Sequence, residues 1–383
     1  MDLKEKALEC HKNWNGKLET VAKSKVNSRE DLAIAYTPGV AEPCKVIAED
    51  KEAAYTYTWK SNTVAVVSDG SAVLGLGNIG PYAAMPVMEG KCVLFKEFGN
   101  VNAVPICLDT QDTEEIIEAV KNIAPGFGGI NLEDISAPRC FEIEERLKQI
   151  LDIPVFHDDQ HGTAIVVLAG IINGLRLTGK KKEDCKVVVN GAGSAGVAIT
   201  KLLLTYGFQD VTMCDREGII GKEYPNLNWM QKKMTEVTNL SQKKGTLADA
   251  LQGADIFVGV SAPNIVTPEM VASMNKDSIL FAMANPVPEI MPDVARAAGA
   301  RIVGTGRSDF PNQVNNVIAF PGIFKGALEG RATQITEEMK LAAAEALAYL
   351  VTDEQLNDEF IMPEAFDPRV ADVVSQAVKS HIK

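Results

Sequence analysis

The segment KVVVNGAGSAGVAITKLLLTYG, residues 186–207, constrains the fold more than any other part of the sequence. Val187–Val189 have the pattern of a buried strand, a glycine-rich turn follows, and residues 197–206 have an uninterrupted helical pattern. Glycines at this spacing let the backbone approach a pyrophosphate, and the N-terminus of the helix offers its free N–H groups to the anion. The segment therefore predicts a Rossmann-type site for NAD or NADP. The residues of its turn are Gly191, Gly193, Ser194, Ala195 and Gly196.

The next predicted strand ends at Asp215, roughly at the 20-residue distance expected for the acid that binds a ribose 2′-hydroxyl group. Its carboxylate would repel the 2′-phosphate of NADP. Arg216 is adjacent and could instead bind that phosphate. We expect a preference for NAD, with NADP as the alternative.

Short apolar runs alternate with helical stretches on both sides of residue 160. TVAVVSD, AVPICLD, GGINLED and IPVFHDD come before it, and KVVVN, VTMCD, ADIFVGVS, SILFAMAN and RIVGTG follow it. Apolar runs of this kind are typical of parallel strands that are covered by helices on both faces. The predicted fold is α/β, with an N-terminal substrate domain of parallel strands (1–160) and a C-terminal, Rossmann-like, doubly wound domain (161–383).

A second glycine motif, GLGNIG at residues 75–80, has the same spacing as the first. Pro81 follows its last glycine and Pro86 comes soon after, and prolines at these positions are expected to interrupt the helix that a phosphate site needs. No acid ends a strand at the expected distance. We therefore interpret this motif as a structural loop or as part of a pocket wall.

Acidic pairs end two neighbouring predicted strands: Glu133 and Asp134 after one, Asp158 and Asp159 after the next. A right-handed crossover makes these strands parallel, so the four acids are expected to converge at one sheet edge. Carboxylates packed this closely repel one another unless a cation lies among them, and oxygen ligands favour Mg²⁺ or Mn²⁺. Strand-end acids are also common helix caps, which is the alternative interpretation.

Composition narrows the possible partners. The 383 residues include 51 acidic and 38 basic side chains, a net charge of −13 that disfavours nucleic acid and anionic membranes. The longest apolar run, near Ala164–Ile172, is shorter than the roughly 18 residues of a membrane helix. Seven scattered cysteines fit reduced thiols in the cytoplasm.

Eight motifs in order along the chain resemble those of malic enzymes of the short bacterial type. They are YTPGV (36–40), SDGSAVLGLGNIG (68–80), MEGKCVLFKEF (88–98), NLEDI (131–135), FHDDQHGTA (156–164), GAGSAG (191–196), ANPVPE (284–289) and QVNNVIAFPG (313–322). The resemblance implies metal-dependent oxidative decarboxylation of (S)-malate to pyruvate and CO₂ with reduction of NAD or NADP. It also assigns the glycine loop at 75–80 to the substrate domain.

The resemblance also implies roles for individual residues. Lys91 matches the general base, which needs a lowered pKa, and Tyr36 matches the acid that protonates C3 of enolpyruvate. Without the resemblance, Lys91 could not be preferred to Lys96. The remaining matches are Glu133, Asp134 and Asp159 to metal ligands, Asp158 to the carboxylate that pairs with the base, and Asn285, Asn315 and Asn316 to amides that reach the substrate and the nicotinamide.

One position departs from the family pattern. Ala72 stands where long malic enzymes have an arginine that holds a malate carboxylate, so the counter-charge must come from elsewhere, with Lys60, Arg307 or a second subunit as candidates. We expect a homodimer. The alternatives are a malolactic enzyme, which usually has a longer chain, an amino-acid dehydrogenase, which needs no acid cluster, and a nucleotide-sensing binding protein.

Overall fold

The computed structural model describes residues 2–382, in which strands and helices alternate along most of the chain. The strands are β1 (Thr63–Ser68), β2 (Asn102–Cys107), β3 (Gly129–Leu132), β4 (Val155–His157), β5 (Lys186–Asn190), β6 (Asp210–Asp215), β7 (Gly218–Ile219), β8 (Ile256–Gly259), β9 (Ile279–Ala282) and β10 (Ile302–Thr305). The helices are α1 (Leu3–Trp14), α2 (Arg29–Ala35), α3 (Ala41–Glu49), α4 (Ala54–Tyr57), α5 (Gly80–Gly99), α6 (Thr113–Ile123), α7 (Arg139–Ile150), α8 (Asp158–Thr178), α9 (Ser194–Tyr206), α10 (Trp229–Met234), α11 (Leu247–Leu251), α12 (Pro268–Ala272), α13 (Pro292–Ala297), α14 (Phe320–Glu329), α15 (Glu337–Leu350) and α16 (Val370–Lys379).

The first four strands form a parallel sheet in the order β2-β1-β3-β4. The chain leaves β1 through α5, returns to the edge strand β2, and then crosses to the other side of β1 to form β3 and β4. This reversal lies between β1 and β3, and ligands in open α/β sheets bind beyond the carboxyl ends of the strands at such a reversal. The predicted strands of this half are confirmed.

The second sheet has the order β10-β9-β8-β5-β6-β7, and all its pairs are parallel except β6 with the two-residue strand β7. Its reversal lies between β5 and β8. Strand β5 runs through the glycine turn directly into α9. The prediction of an α/β fold with a Rossmann-like, doubly wound second sheet is confirmed.

Helix α8 connects the two sheets. It begins at Asp158, directly after β4, and its buried apolar residues belong to one core with β5, α14 and the buried face of α5. Helix α15 packs on α8 and α16. The predicted domain boundary between residues 160 and 161 falls inside α8. We propose that it separates a substrate domain, which contains the first sheet, from a nucleotide-binding domain, which contains the second.

The α8 helix is also longer than the apolar run in the sequence suggests. Among residues 2–382 it is the one helix that is long and apolar enough to cross a membrane, with 21 residues. However, 67% of its most apolar window is buried inside the protein. Its apolar surface is therefore used in the core that joins the sheets.

The expected interruption after GLGNIG is wrong. Helix α5 begins at Gly80 and runs for 20 residues through both Pro81 and Pro86. Pro81 lies in the first turn, where a missing N–H breaks no helical hydrogen bond. Pro86 removes one bond, but the buried face of the helix, which includes Met88 and Phe95, is held by the core.

Candidate active site

The carboxyl ends of the two sheets face each other across a cleft. One cavity of about 900 Å³ lies on the side of the first sheet, and another of about 410 Å³ extends to the glycine turn of the second. Asp134, Asp159 and Asn316 line both cavities. The acid pairs and the nucleotide turn, which are far apart in the sequence, therefore open onto one site.

Three of the four acids form a compact cluster. Glu133 and Asp134 follow β3, Asp159 lies in the first turn of α8, and one carboxylate oxygen from each lies within 4.8 Å of the others. The backbone N–H of Asp134 donates to Oδ2 of Asp159 at 2.7 Å, which ties the two strand ends together. Asp134 needs a left-handed backbone, with φ of 54°, to aim its side chain at the cluster. The predicted convergence of the acids is confirmed.

The electrostatics of this cluster favour a cation. Burial and the neighbouring carboxylates raise the pKa of Asp134 to about 9, and burial raises the pKa of Asp159 to about 6. Oδ2 of Asp134 is buried without a hydrogen-bond partner. Three carboxylates that repel one another, with an unpaired buried oxygen, form a donor set that suits Mg²⁺ or Mn²⁺.

Lys91 reaches the same cluster from α5 and is itself buried. Its Nζ lies 2.6 Å from Oδ2 of Asp158 and 2.8 Å from Oε1 of Glu133, and it stands 4.2 Å from the centre of the Phe320 ring. Burial lowers the pKa of Lys91, but the charges of Asp158 and Glu133 outweigh burial and raise it. These anions stabilise the ammonium, so the lowered pKa that a general base needs would have to come from the positive charge of a nearby cation.

Asp158 differs from the other three acids in its partner. It is fully buried at the start of α8 and accepts a hydrogen bond from Lys91. Burial raises its pKa to about 7. Its Oδ1 lies where a side chain on Gly162, one helical turn later, would have its Cβ. Glycine at position 162 therefore gives Asp158 room to face Lys91.

The glycine turn of the second sheet has the geometry of a phosphate site. A Cβ on Gly196 would overlap the carbonyl oxygen of Gly191, so the turn closes this tightly only with glycine at position 196. At Gly193, by contrast, no atom lies within 4 Å of an added Cβ. Gly193, Ser194, Ala195 and Gly196 line the smaller cavity. Open space therefore lies directly in front of the α9 N-terminus.

Asp215 ends β6, as expected, and lies outside the residues that line the two cavities. Its Oδ1 accepts a hydrogen bond from the backbone N–H of Arg216 at 2.9 Å, and the Arg216 side chain is exposed. Gly191 lies beneath the turn, beside Val260. Asp215 and Arg216 therefore lie at the end of β6 and outside the cleft that holds the acid cluster.

The three asparagines lie between the cluster and the glycine turn. Asn285 follows β9, Asn315 caps the short 3₁₀ helix Asn316–Ile318, and all three line the smaller cavity. Gly75 of the first glycine motif packs against the backbone of Asn285, where an added Cβ would be 3.3 Å from its carbonyl oxygen. The first motif therefore forms part of the cavity wall.

Tyr36 is the one predicted catalytic residue that its own chain does not bring to the cleft. It directly follows α2, it is 68% exposed, and it lines neither cavity. Lys60 is also absent from the cleft, because it donates to the carbonyls of Ala124 and Phe127 near the amino end of β1. Arg307 is paired with Asp309 outside both cavities.

Several residues that the sequence analysis missed hold the site in place. Asn131 donates to Glu133 at 2.8 Å, and Glu144 accepts from the backbone N–H of His157 and pairs with His161. Glu144 lies among the buried apolar positions of α7, a pattern that could have singled it out. Lys17 and Lys91 are the basic side chains that line the two cavities within residues 2–382.

Comparisons with known proteins agree with this geometry. Residues 15–148 match the malic enzyme N-terminal domain, and residues 160–381 match the malic enzyme NAD-binding domain. The chain belongs to the malic enzyme family. It is an enzyme that decarboxylates malate with NAD or NADP as its cofactor.

Individual relatives span nearly the whole chain. A protein of Bacillus subtilis named bifunctional malic/malolactic enzyme is 59% identical over 99% of this chain and 92% of its own length. An NAD-dependent malic enzyme of Geobacillus stearothermophilus is 60% identical over 95% of this chain and 76% of its own length. The crystal structure of an NAD-dependent malic enzyme from Thermotoga maritima superposes with a TM-score of 0.94 at 54% identity, covering 97% of this chain and 98% of that one.

Proposed function

We propose that Glu133, Asp134 and Asp159 bind the divalent cation and that Lys91 accepts the proton of the C2 hydroxyl group of malate. The observation that carries this proposal is the position of Lys91 Nζ, 2.8 Å from one cation ligand and 2.6 Å from Asp158. A bound Mg²⁺ or Mn²⁺ would supply electron withdrawal from the C2 oxygen and stabilise the enolate that is left when CO₂ departs. Lys91 and Asp158 provide the proton-accepting pair beside it.

The nucleotide turn and the asparagines orient the other reacting groups. The Gly193–Gly196 turn binds the pyrophosphate at the N-terminus of α9, which places the nicotinamide towards the acid cluster. Asn285, Asn315 and Asn316 donate amide hydrogen bonds to the malate carboxylate and the nicotinamide. NAD is the preferred cofactor, because Asp215 lies at the position that meets the ribose 2′-hydroxyl group.

Tyr36 donates the proton that converts enolpyruvate to pyruvate at C3. The protein works as a homodimer, and the free thiols of all seven cysteines are consistent with the cytoplasm. Lys17, which lines the larger cavity, is the cation of this chain best placed to replace the arginine missing at Ala72.

The test separates the two proton transfers. Malate turnover should fall by on the order of 10² or more in both Lys91→Ala and Tyr36→Phe, the usual scale for a positioned proton donor or acceptor. Lys91→Ala should fail at cofactor reduction. Tyr36→Phe should still reduce the cofactor and release CO₂, but solvent deuterium should enter C3 of pyruvate more slowly. Unchanged exchange in Tyr36→Phe would exclude Tyr36 as the acid.

A malolactic reaction is the second candidate, because one relative is named a bifunctional malic/malolactic enzyme. In that reaction the hydride returns to the product, so lactate accumulates without net cofactor reduction. Measuring pyruvate, lactate and reduced cofactor together from malate distinguishes the two. We expect pyruvate and reduced cofactor in equal amounts, and lactate without reduced cofactor would favour the second reaction.

A further inference from the structure

The N-terminal segment of residues 20–50, here called the arm, has no core of its own. None of its residues is buried, and its helices α2 and α3 contain only seven and nine residues. Isolated helices of this length are marginal in water and need packing against other structure. No hydrogen bond or ion pair within residues 2–382 connects the arm to any residue beyond the Glu52–Ala53 turn that follows it.

The arm nevertheless carries a row of large apolar side chains. Leu32 is 51% exposed, and Ile34 and Tyr36 are each 68% exposed. Val21, Val26, Val40 and Val46 are exposed in the same segment. Large exposed apolar side chains concentrated in one segment of a folded protein favour an interaction site.

The arm is tethered at both ends to its own chain. Before it, the backbone N–H of Lys17 donates to Glu89 of α5, at the cleft. After it, Arg331 pairs with Glu52 and stacks on the Tyr55 ring. The chain then enters β1 at its amino end, at the opposite edge of the sheet from the acid cluster. Tyr36 lies in the middle of this tethered segment and lines neither cavity of its own chain.

The cleft, for its part, has an exposed apolar wall beside the reacting groups. Leu18, Leu74, Leu76 and Val87 line the larger cavity and are between 37% and 69% exposed. Lys91, Glu133 and Asp159 line the same cavity. An apolar segment bound there would bring its side chains next to the acid cluster. The proposed reaction needs a proton donor at this position, and Tyr36 of the same chain is not there.

We propose that the arm of a second copy of this chain binds in this cleft and that Tyr36 of the partner subunit completes the active site. The inference rests on the proposed role of Tyr36 as the acid. A second copy is the occupant because it carries both the exposed apolar arm and the missing proton donor. In a two-fold symmetric dimer each arm occupies the other subunit's cleft, so both apolar surfaces are buried in one closed interface.

Complementation between two inactive variants tests the arrangement. Tyr36→Phe and Lys91→Ala are co-expressed with different affinity tags, and dimers that carry both tags are isolated. In such a dimer one site combines Lys91 with Tyr36 of the partner subunit, so activity should return to about half that of the wild-type dimer, one site of two. No recovery in the doubly tagged dimer would overturn the proposal, because it would show that each chain uses its own Tyr36.

A second measurement tests docking of the arm without touching the proposed acid. Ile34→Glu should weaken the dimer and make specific activity fall on dilution, whereas Leu240→Glu, at a site 70% exposed in the second half of the chain, should change neither. An active wild-type monomer, or an Ile34→Glu dimer as tight as wild type, would contradict the proposal. If Tyr36→Phe alone is fully active, the proposed acid is wrong, and this is seen before any chains are mixed.

Discussion

The two sheets of this protein present opposite chemistry at the same kind of edge. Beyond the carboxyl ends of β3 and β4 lie buried carboxylates, whose mutual repulsion favours a cation. Beyond β5 lies a turn of glycines with open space in front of the N-terminus of α9, which suits an anion. The topology places a ligand site at each reversal of strand order, and the residues of the first turn after the strand decide its charge.

The two glycine motifs have the same spacing but differ in structure. Both follow a strand and precede a helix. In the second motif Gly196 packs on the Gly191 carbonyl and closes a tight turn, whereas nothing lies within 4 Å of an added Cβ at Gly77 or Gly80 in the first. Glycine spacing alone therefore does not distinguish a phosphate site from a pocket wall. The close approach at Gly196 does.

The largest expected effect comes from removing a carboxylate from the first edge. Asp159→Ala should reduce malate turnover with Mg²⁺ or Mn²⁺ by on the order of 10² or more, the scale for losing one electrostatic stabiliser. NAD binding should persist, since the nucleotide turn belongs to the other sheet. Steady-state kinetics and NAD titration measure the two effects. The control is Asp109→Ala, an exposed acid just beyond β2, and equal activity of the two variants would refute the cluster assignment.

A smaller effect is expected at the second edge, where two glycines should behave differently. Gly196→Ala forces a Cβ onto the Gly191 carbonyl and should cost about 1–3 kcal/mol of stability together with NAD binding. Gly193→Ala fits the free protein, so its Tm should be unchanged while its KM for NAD rises about tenfold, or 1.4 kcal/mol. Thermal unfolding and NAD kinetics separate the two, and identical behaviour of both variants would mean that the turn is not the phosphate site.

The smallest expected effect concerns the adenosine ribose of the cofactor, where NAD and NADP differ. The wild type should have a higher kcat/KM with NAD than with NADP, by roughly tenfold, because Asp215 repels a 2′-phosphate. Asp215→Ser should narrow this ratio, and the neighbouring Glu217→Ser should not. A clear NADP advantage in the wild type would show that Arg216 controls the site instead.

The local pattern of apolar residues was enough to predict both parallel sheets and the convergence of the acidic pairs at one sheet edge. Apart from the two-residue β7, each strand corresponds to an apolar run in the sequence, and parallel pairing brings Asp134 and Asp159 to one edge without further information. The strand, glycine turn and helix at residues 186–206 are likewise local. These features depend on neighbours in sequence or on the handedness of a single crossover.

Features that depend on distant packing could not be predicted in this way. Helix α5 continues through Pro86 because its buried face packs on the core, and the same packing turns Lys91 inwards while Lys96 stays exposed. The contact that aims Asp158 at Lys91 depends on Gly162, whose role shows only in three dimensions. The position of Tyr36 outside its own cleft belongs to a segment, residues 20–50, in which no residue is buried by the described part of its own chain.

The comparison of Lys91 with Lys96 tests the central claim most directly, since both lie on α5 but only Lys91 reaches the acid cluster. In single-turnover experiments with malate and NAD, Lys91→Ala should slow cofactor reduction by on the order of 10² or more. Lys96→Ala, which loses only exposed contacts with Asn100 and Asn102, should reduce NAD at the wild-type rate. Rapid cofactor reduction in Lys91→Ala would contradict the placement of the base at the edge of the first sheet.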